Sequence, residues 1–198
     1  MEFYENYGTE WGATERRLIE KITATYKVTS LCGLLEGLRP ERILDFGCGL
    51  GDNLDLLADH FHVREAIGLD ISSTMIDHAK RNYSKYTFVR GGIEELIKYK
   101  VDLVTFIDVL EHLEDIPAIL QAARKVGRYV AVKIPLEKTW LNRVLHALGL
   151  KGQKSRFFES EGHLYEFNHS DVEQILRQAG LTILKTKVDF MPREALFS

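Results

Sequence analysis

Three features of the sequence predict a parallel α/β sheet with helices on both faces. Short apolar runs alternate with segments of helical spacing from about residue 42 to residue 188, the pattern of strand–helix–strand crossovers. Val101–Ile107 is apolar at nearly every position, as a strand covered on both faces requires. The run Ile43-Leu44-Asp45-Phe46-Gly47-Cys48-Gly49-Leu50-Gly51 reads as a buried strand ending in a glycine-rich turn. Glycines at alternate positions let the backbone bend tightly and pass close to a ligand.

The elements follow in order. The first twelve residues are polar and aromatic, with Phe3, Tyr4, Tyr7 and Trp11. From Thr14 to about Leu38 the apolar positions Leu18, Ile22, Tyr26, Leu31, Leu34 and Leu35 recur at helical spacing, and Arg39-Pro40 breaks the pattern. Arg42–Phe46 is the first strand and Asp52–His60 the helix after the glycine turn. Ala66–Leu69 is the second strand, followed by a helix that Ser72 or Ser73 can cap. Tyr86–Val89 is a short third strand, Ile93–Ile97 a helical turn, and Val101–Ile107 the fourth strand. Ile116–Val126 is a helix that tolerates Pro117 in its first turn. Arg128–Ile134 is the fifth strand. Trp140–Leu150 is amphipathic, Lys151–Ser160 polar. Ser170 is expected to cap a helix over Asp171–Ala179 that stops at Gly180, and Leu181–Val188 is expected to form a last strand.

Bulk properties narrow the function. With 198 residues the chain is expected to form one domain. A net charge of −3 and a pI near 6.2 give no electrostatic argument for nucleic acid or membrane surfaces. No stretch is long and apolar enough to span a bilayer, and the first residues lack the basic-then-apolar pattern of a secretory leader. The two cysteines, Cys32 and Cys48, suggest no disulfide framework, so a reducing cytoplasm is expected. No metal-ligand spacing is evident.

Two acids flank the glycine turn. Asp45 ends the strand before it, and Asp70, about 20 residues beyond the glycines, ends the next one. An acid at that position can accept both hydroxyls of a ribose, each charge-assisted bond contributing about 1.5–3 kcal/mol. Acids at both ends suit a ligand with hydroxyls and an ammonium group and suit a pyrophosphate poorly.

These motifs carry a resemblance. Asp45-x-Gly47-x-Gly49-x-Gly51 resembles the first motif of class I S-adenosylmethionine-dependent methyltransferases, and Ile67-Gly68-Leu69-Asp70-Ile71-Ser72 their second. Val101-Asp102-Leu103-Val104-Thr105-Phe106-Ile107-Asp108-Val109-Leu110-Glu111-His112-Leu113 is similar to their fourth. Gly162-His163-Leu164-Tyr165-Glu166-Phe167, with the helix ending Ala179-Gly180-Leu181, resembles the region after strand five in the small-molecule branch, of the ubiquinone/menaquinone type. The resemblance implies a Rossmann-like methyltransferase fold over 1–198, with a mostly parallel sheet of seven strands, or six. Residues 1–38 would form an arm and helix, and 136–169 a cap over the substrate. It implies S-adenosylmethionine as cofactor, a small-molecule acceptor, a monomer or homodimer, and no nucleic-acid or membrane partner.

Position by position, the resemblance puts Gly47, Gly49 and Asp45 under the methionine part, Asp70 on the ribose, and Ile71 and Met75 at the adenine. Asp108 and Val109 would line the methionine side. Gly92 stands where the family usually carries an acid for the adenine amino group. Ile93 matches the adjacent backbone contact, and Glu94 is a substitute within reach by sequence. Candidate bases are His112 and His163, with His169 expected to serve in capping instead. Tyr7, Trp11 and Tyr165 are candidate walls for the substrate, and Glu94, Glu95 and Glu111 are expected to face solvent. Two other classes fit less well. A nicotinamide-dependent oxidoreductase calls for G-x-G-x-x-G without the flanking acids, and a protein that binds the cofactor without catalysis would account for Gly92.

Overall fold

The computed structural model describes residues 14–135 (side chains from residue 21), 164–165 and 167–188. In chain order it contains α1 (Thr14–Leu34), β1 (Arg42–Phe46), α2 (Asp52–Phe61), β2 (Glu65–Asp70), α3 (Ser73–Asn82) and β3 (Thr87–Arg90). These are followed by α4 (Ile93–Leu96), β4 (Val101–Ile107), a 3-10 turn (Leu110–His112), α5 (Ile116–Val126), β5 (Gly127–Lys133) and α6 (His169–Gln178). All pairings among the five strands are parallel, in the order β3-β2-β1-β4-β5. The chain winds outward from β1 to β3, then returns to place β4 on the other side of β1. The crevice outside the carboxyl ends of β1 and β4 is therefore the topological switch point, where ligands bind in open sheets of this kind.

The strands alternate between two cores. Leu44, Phe46, Val104 and Phe106 point to the face covered by α5 and α6, with Leu120, Ala123 and Ala179. Ile43, Leu103, Ile107 and Ala131 point to the other, against Val28 and Leu31 of α1, Leu54 and Leu57 of α2, and Ile76 of α3. Sheets covered on both faces give the continuous apolar runs seen in the sequence.

The fold is the Rossmann-like α/β fold the sequence predicts, with three local differences. Five strands occur among the described residues rather than six or seven. Leu181–Val188 is not one of them, and Leu184 and Val188 are 72% and 63% exposed. A strand exists only when a ladder partner is present, and no described segment supplies one. Its expected partner near Glu194–Phe197, like the predicted helix Trp140–Leu150 and most of the predicted cap, lies outside the described residues. Second, α6 is capped by Asn168 rather than Ser170. The Asn168 side chain accepts from the Asp171 N–H, and the Asp171 carboxylate accepts from the Asn168 N–H, a reciprocal capping box. Ser170 donates its hydroxyl to Asn168 Oδ1. Third, α1 ends at Leu34, before the turn that carries Gly37 at φ +93°. Ser72 caps α3 as expected, accepting from Met75 N–H.

Candidate functional site

The glycine turn closes against the end of β2. The Gly47 and Cys48 N–H groups donate to the Leu69 carbonyl at 2.7 and 2.9 Å. Gly47, Gly49 and Gly51 all take positive φ, +76°, +50° and +88°, a region L side chains avoid. A Cβ on Gly47 would lie 2.5 Å from Val109 Cγ2, and one on Gly51 2.9 Å from Phe88 Cζ. A Cβ on Gly49 would meet nothing within 4 Å. Gly49 is thus the glycine that faces open space, while its two neighbours are needed for packing.

Asp45 sits beneath this turn and is 1% exposed. Its Oδ1 accepts the Thr105 hydroxyl at 2.6 Å, across the β1–β4 ladder. Its Oδ2 is buried without a hydrogen-bond partner among the described residues. Burial pushes the carboxyl up to about 7, with the Asp70 charge adding to the rise and the Thr105 bond opposing it. Asp70 is more open. Its Oδ2 accepts from Gly49 N–H and its Oδ1 from Ser72 N–H, both at 2.9 Å, so one carboxylate ties the glycine turn to the start of α3. Burial raises its pKa and these amide bonds oppose the rise. Beyond it, Ile71 and Ile93 are 44% and 37% exposed, two apolar side chains left uncovered beside the crevice, while Met75 is buried.

At Gly92, the cap of α4, the backbone N–H donates to Glu94 Oε1 at 2.8 Å. That bond holds the Glu94 carboxyl below its usual value and commits the side chain to its own backbone.

The carboxyl end of β4 carries the least expected cluster. Asp108 adopts φ +53°, uncommon for any residue but glycine though Asp tolerates it, and its N–H donates to the Lys133 carbonyl. Its carboxylate meets Lys27 Nζ of α1 at 2.6 Å and Lys133 Nζ of β5 at 3.4 Å. Burial acts to raise its pKa, and the two ammoniums outweigh that and hold it below the usual carboxylate value. Glu111, expected on the surface, is 1% exposed. The 3-10 turn tucks it inward, and its carbonyl accepts the Leu164 N–H at 2.8 Å. Its Oε2 has no partner among the described residues. Burial, then the Asp108 charge, push its carboxyl up to about 8.

The structure thus brings Asp45, Gly47, Gly49, Asp70 and Ile71, with Asp108 and Val109, to the ends of neighbouring strands. His112 closes the 3-10 turn and is partly buried. Tyr165 is 43% exposed and donates its hydroxyl to the Glu114 carbonyl at 3.3 Å. His169 opens α6 and contacts Thr186 Oγ1 at 3.2 Å. Tyr7, Trp11 and His163 lie outside the described residues. Sequence reading missed Thr105, Lys27 and Lys133, and misplaced Glu111. Signals for the lysines existed. Lys133 follows the run Tyr129–Val132 in β5, and Lys27 lies three residues from Ala24 and four from Leu31, on the stripe of α1 that is buried.

Comparison with known proteins adds to this geometry. The family model described as a methyltransferase domain matches residues 15–186. The chain is 28% identical over 149 residues to a probable S-adenosylmethionine-dependent methyltransferase of Mycolicibacterium smegmatis, covering 73% of this chain and 53% of that protein. It is 27% identical over 160 residues to the ubiquinone biosynthesis O-methyltransferase of Rhodopseudomonas palustris, covering 75% and 60%. The chain therefore spans only a little over half the length of these curated relatives. Magnesium protoporphyrin IX methyltransferase from Synechocystis, crystallised with bound S-adenosylhomocysteine, shares the fold with a TM-score of 0.66 at 21% identity, covering 94% of this chain and 90% of that one.

Proposed function

Because the chain belongs to the methyltransferase domain family, we propose that it transfers the methyl group of S-adenosylmethionine to a small-molecule acceptor through an oxygen or nitrogen nucleophile, oxygen first. The observation that carries this reading is the pair of acids, Asp45 and Asp70, on either side of a glycine turn at the β1–β4 switch point, with open space over Gly49. The chain's residues fit that cofactor. Asp45 Oδ2, buried and unbonded, suits an ammonium, and Asp70 has lone pairs left for the two ribose hydroxyls. Ile71 and Ile93 offer exposed apolar surface to the adenine, with Met75 behind. Val109, packed against Gly47, and Asp108 line the methionine side.

When bound, S-adenosylmethionine supplies an electrophilic methyl on a sulfonium. The protein's task is then alignment, which can contribute up to about 7–11 kcal/mol, and removal of a proton where the nucleophile carries one. His112 is the described candidate for that base, with His163 a second by sequence, and Tyr165, Tyr7 and Trp11 are the candidate walls of the acceptor site. The ubiquinone-pathway relative, named an O-methyltransferase, supports oxygen as the acceptor atom. Gly92 supports a second reading, binding without transfer, because Glu94 is held by its own backbone and does not replace the missing acid.

Calorimetry with S-adenosylhomocysteine tests the first step. Micromolar to submillimolar binding is expected, and Asp70→Ala is expected to weaken it at least about tenfold, about 1.4 kcal/mol. A folded Asp70→Ala protein of unchanged affinity refutes the ribose assignment. Transfer of labelled methyl to any acceptor separates the enzyme from the binder.

A further inference from the structure

We infer that Lys133, held against Asp108 with Lys27 at the carboxyl ends of β4 and β5, anchors the acceptor by a carboxylate; this rests on the methyl-transfer reading above. Two ammoniums converge on one carboxylate here, at 2.6 and 3.4 Å. Their side chains are 25% and 23% exposed and that of Asp108 18%, so the cluster is neither sealed in the core nor fully solvated. The two cations are not equivalent. Lys27 meets Asp108 at the distance of a strong charge-assisted bond, whereas 3.4 Å is too long for one. An ammonium has three donors, and Lys133 has donors left for an incoming group.

The charge count points to an anion. Burial, then the Asp108 charge, push the carboxyl of buried Glu111 up to about 8, so it favours the neutral form near pH 7. Among the described residues of the cluster, two positive charges therefore face one negative charge. One positive charge is left over, which matches a singly charged carboxylate. An acceptor carrying a carboxylate compensates that charge; the cofactor's own methionine carboxylate is the competing occupant, and the S-adenosylhomocysteine affinity of the Lys133 variants distinguishes the two. The strained φ of Asp108 fits the same role, since left-handed non-glycine residues concentrate where a side chain is held for a ligand, and its N–H bond to the Lys133 carbonyl fixes the two residues relative to each other.

The test presents protein saturated with S-adenosylhomocysteine with matched acid and amide probes: 4-hydroxybenzoate and 4-hydroxybenzamide, 4-aminobenzoate and 4-aminobenzamide, and succinate and succinamide. Binding is read by ligand-observed saturation transfer. The acids are expected to bind at least about tenfold tighter than their amides, Lys133→Gln to reduce that ratio below about threefold, and Lys133→Arg to keep it. S-adenosylhomocysteine itself is expected to bind all three proteins alike. Equal response to acids and amides, including no response to either, overturns the inference, as does a Lys133→Gln protein that loses the cofactor product instead, which would make Lys133 a cofactor ligand. Wild-type protein that binds no S-adenosylhomocysteine at all defeats the underlying methyl-transfer reading rather than this one.

Discussion

A carboxylate with one oxygen buried and unbonded is costly unless it is protonated or a cation reaches it. Asp45 is such a group, and burial places its carboxyl at about 7. An ammonium seated on Oδ2 favours the ionised form, so the bound state makes Asp45 a stronger acid. Below pH 7 the free protein carries the proton and must release it on binding. Affinity for S-adenosylhomocysteine is therefore expected to rise with pH from about 5.5 to about 7.5, by at most about tenfold per unit, and to level off above. Asp45→Asn is expected to flatten most of that slope. Calorimetry in two buffers of different ionisation enthalpy counts the protons directly. Wild-type binding at pH 6 with no proton release would show that no cation meets Asp45.

The glycine turn acts as one element, yet its three glycines serve different ends. Gly47 directly follows β1, and a methyl there collides with Val109, the neighbour of Asp108. Gly47→Ala combines left-handed strain with overpacking and is expected to cost about 2–4 kcal/mol of stability. Gly49→Ala pays only the backbone strain, about 1–2 kcal/mol, because its methyl enters open space. If that space belongs to the cofactor, Gly49→Ala stays folded while losing most of its affinity. Urea denaturation and calorimetry on the two variants separate the effects, and a Gly49→Ala protein that binds like wild type would assign the space to solvent.

Across the whole molecule, what the sequence disclosed is what depends on short stretches of chain. The apolar run Val101–Ile107 and the helical spacing of Ile116–Val126 match β4 and α5 residue for residue, because burial on both faces and amphipathicity are written locally. The placement of Asp45, Gly47 and Asp70 at the ends of neighbouring strands was legible for the same reason. What depends on two distant segments was not. Leu181–Val188 has strand composition, but pairing is a property of a partner. Asn168, His169 and Ser170 offer similar capping chemistry in a row, and only the reciprocal bond with Asp171 selects Asn168. The ammoniums of Lys27 and Lys133 meet Asp108 only because α1 and β5 are folded against β4. Glu111 looks like an ordinary surface acid until the 3-10 turn buries it, and that burial has a global consequence. Its folded value is about 8 against an ordinary 4.5, so between these limits the native state binds more protons than the unfolded chain. The sign follows: stability is fully present below about 4.5 and is lost as pH rises through about 8. Asp45, raised to about 7, loses stability in the same sense, whereas Asp108, held low, acts only in more acidic solution. Glu111→Gln mimics the protonated form without the titration. Relative to wild type it is expected to gain stability from pH 5 to about 8, by on the order of a few kcal/mol at the upper end, and to level off above, with Asp45 leaving a shallower decline in both proteins. Urea denaturation across that range is the measurement, and wild-type and variant curves that run parallel would show that Glu111 is ionised in the native state at neutral pH.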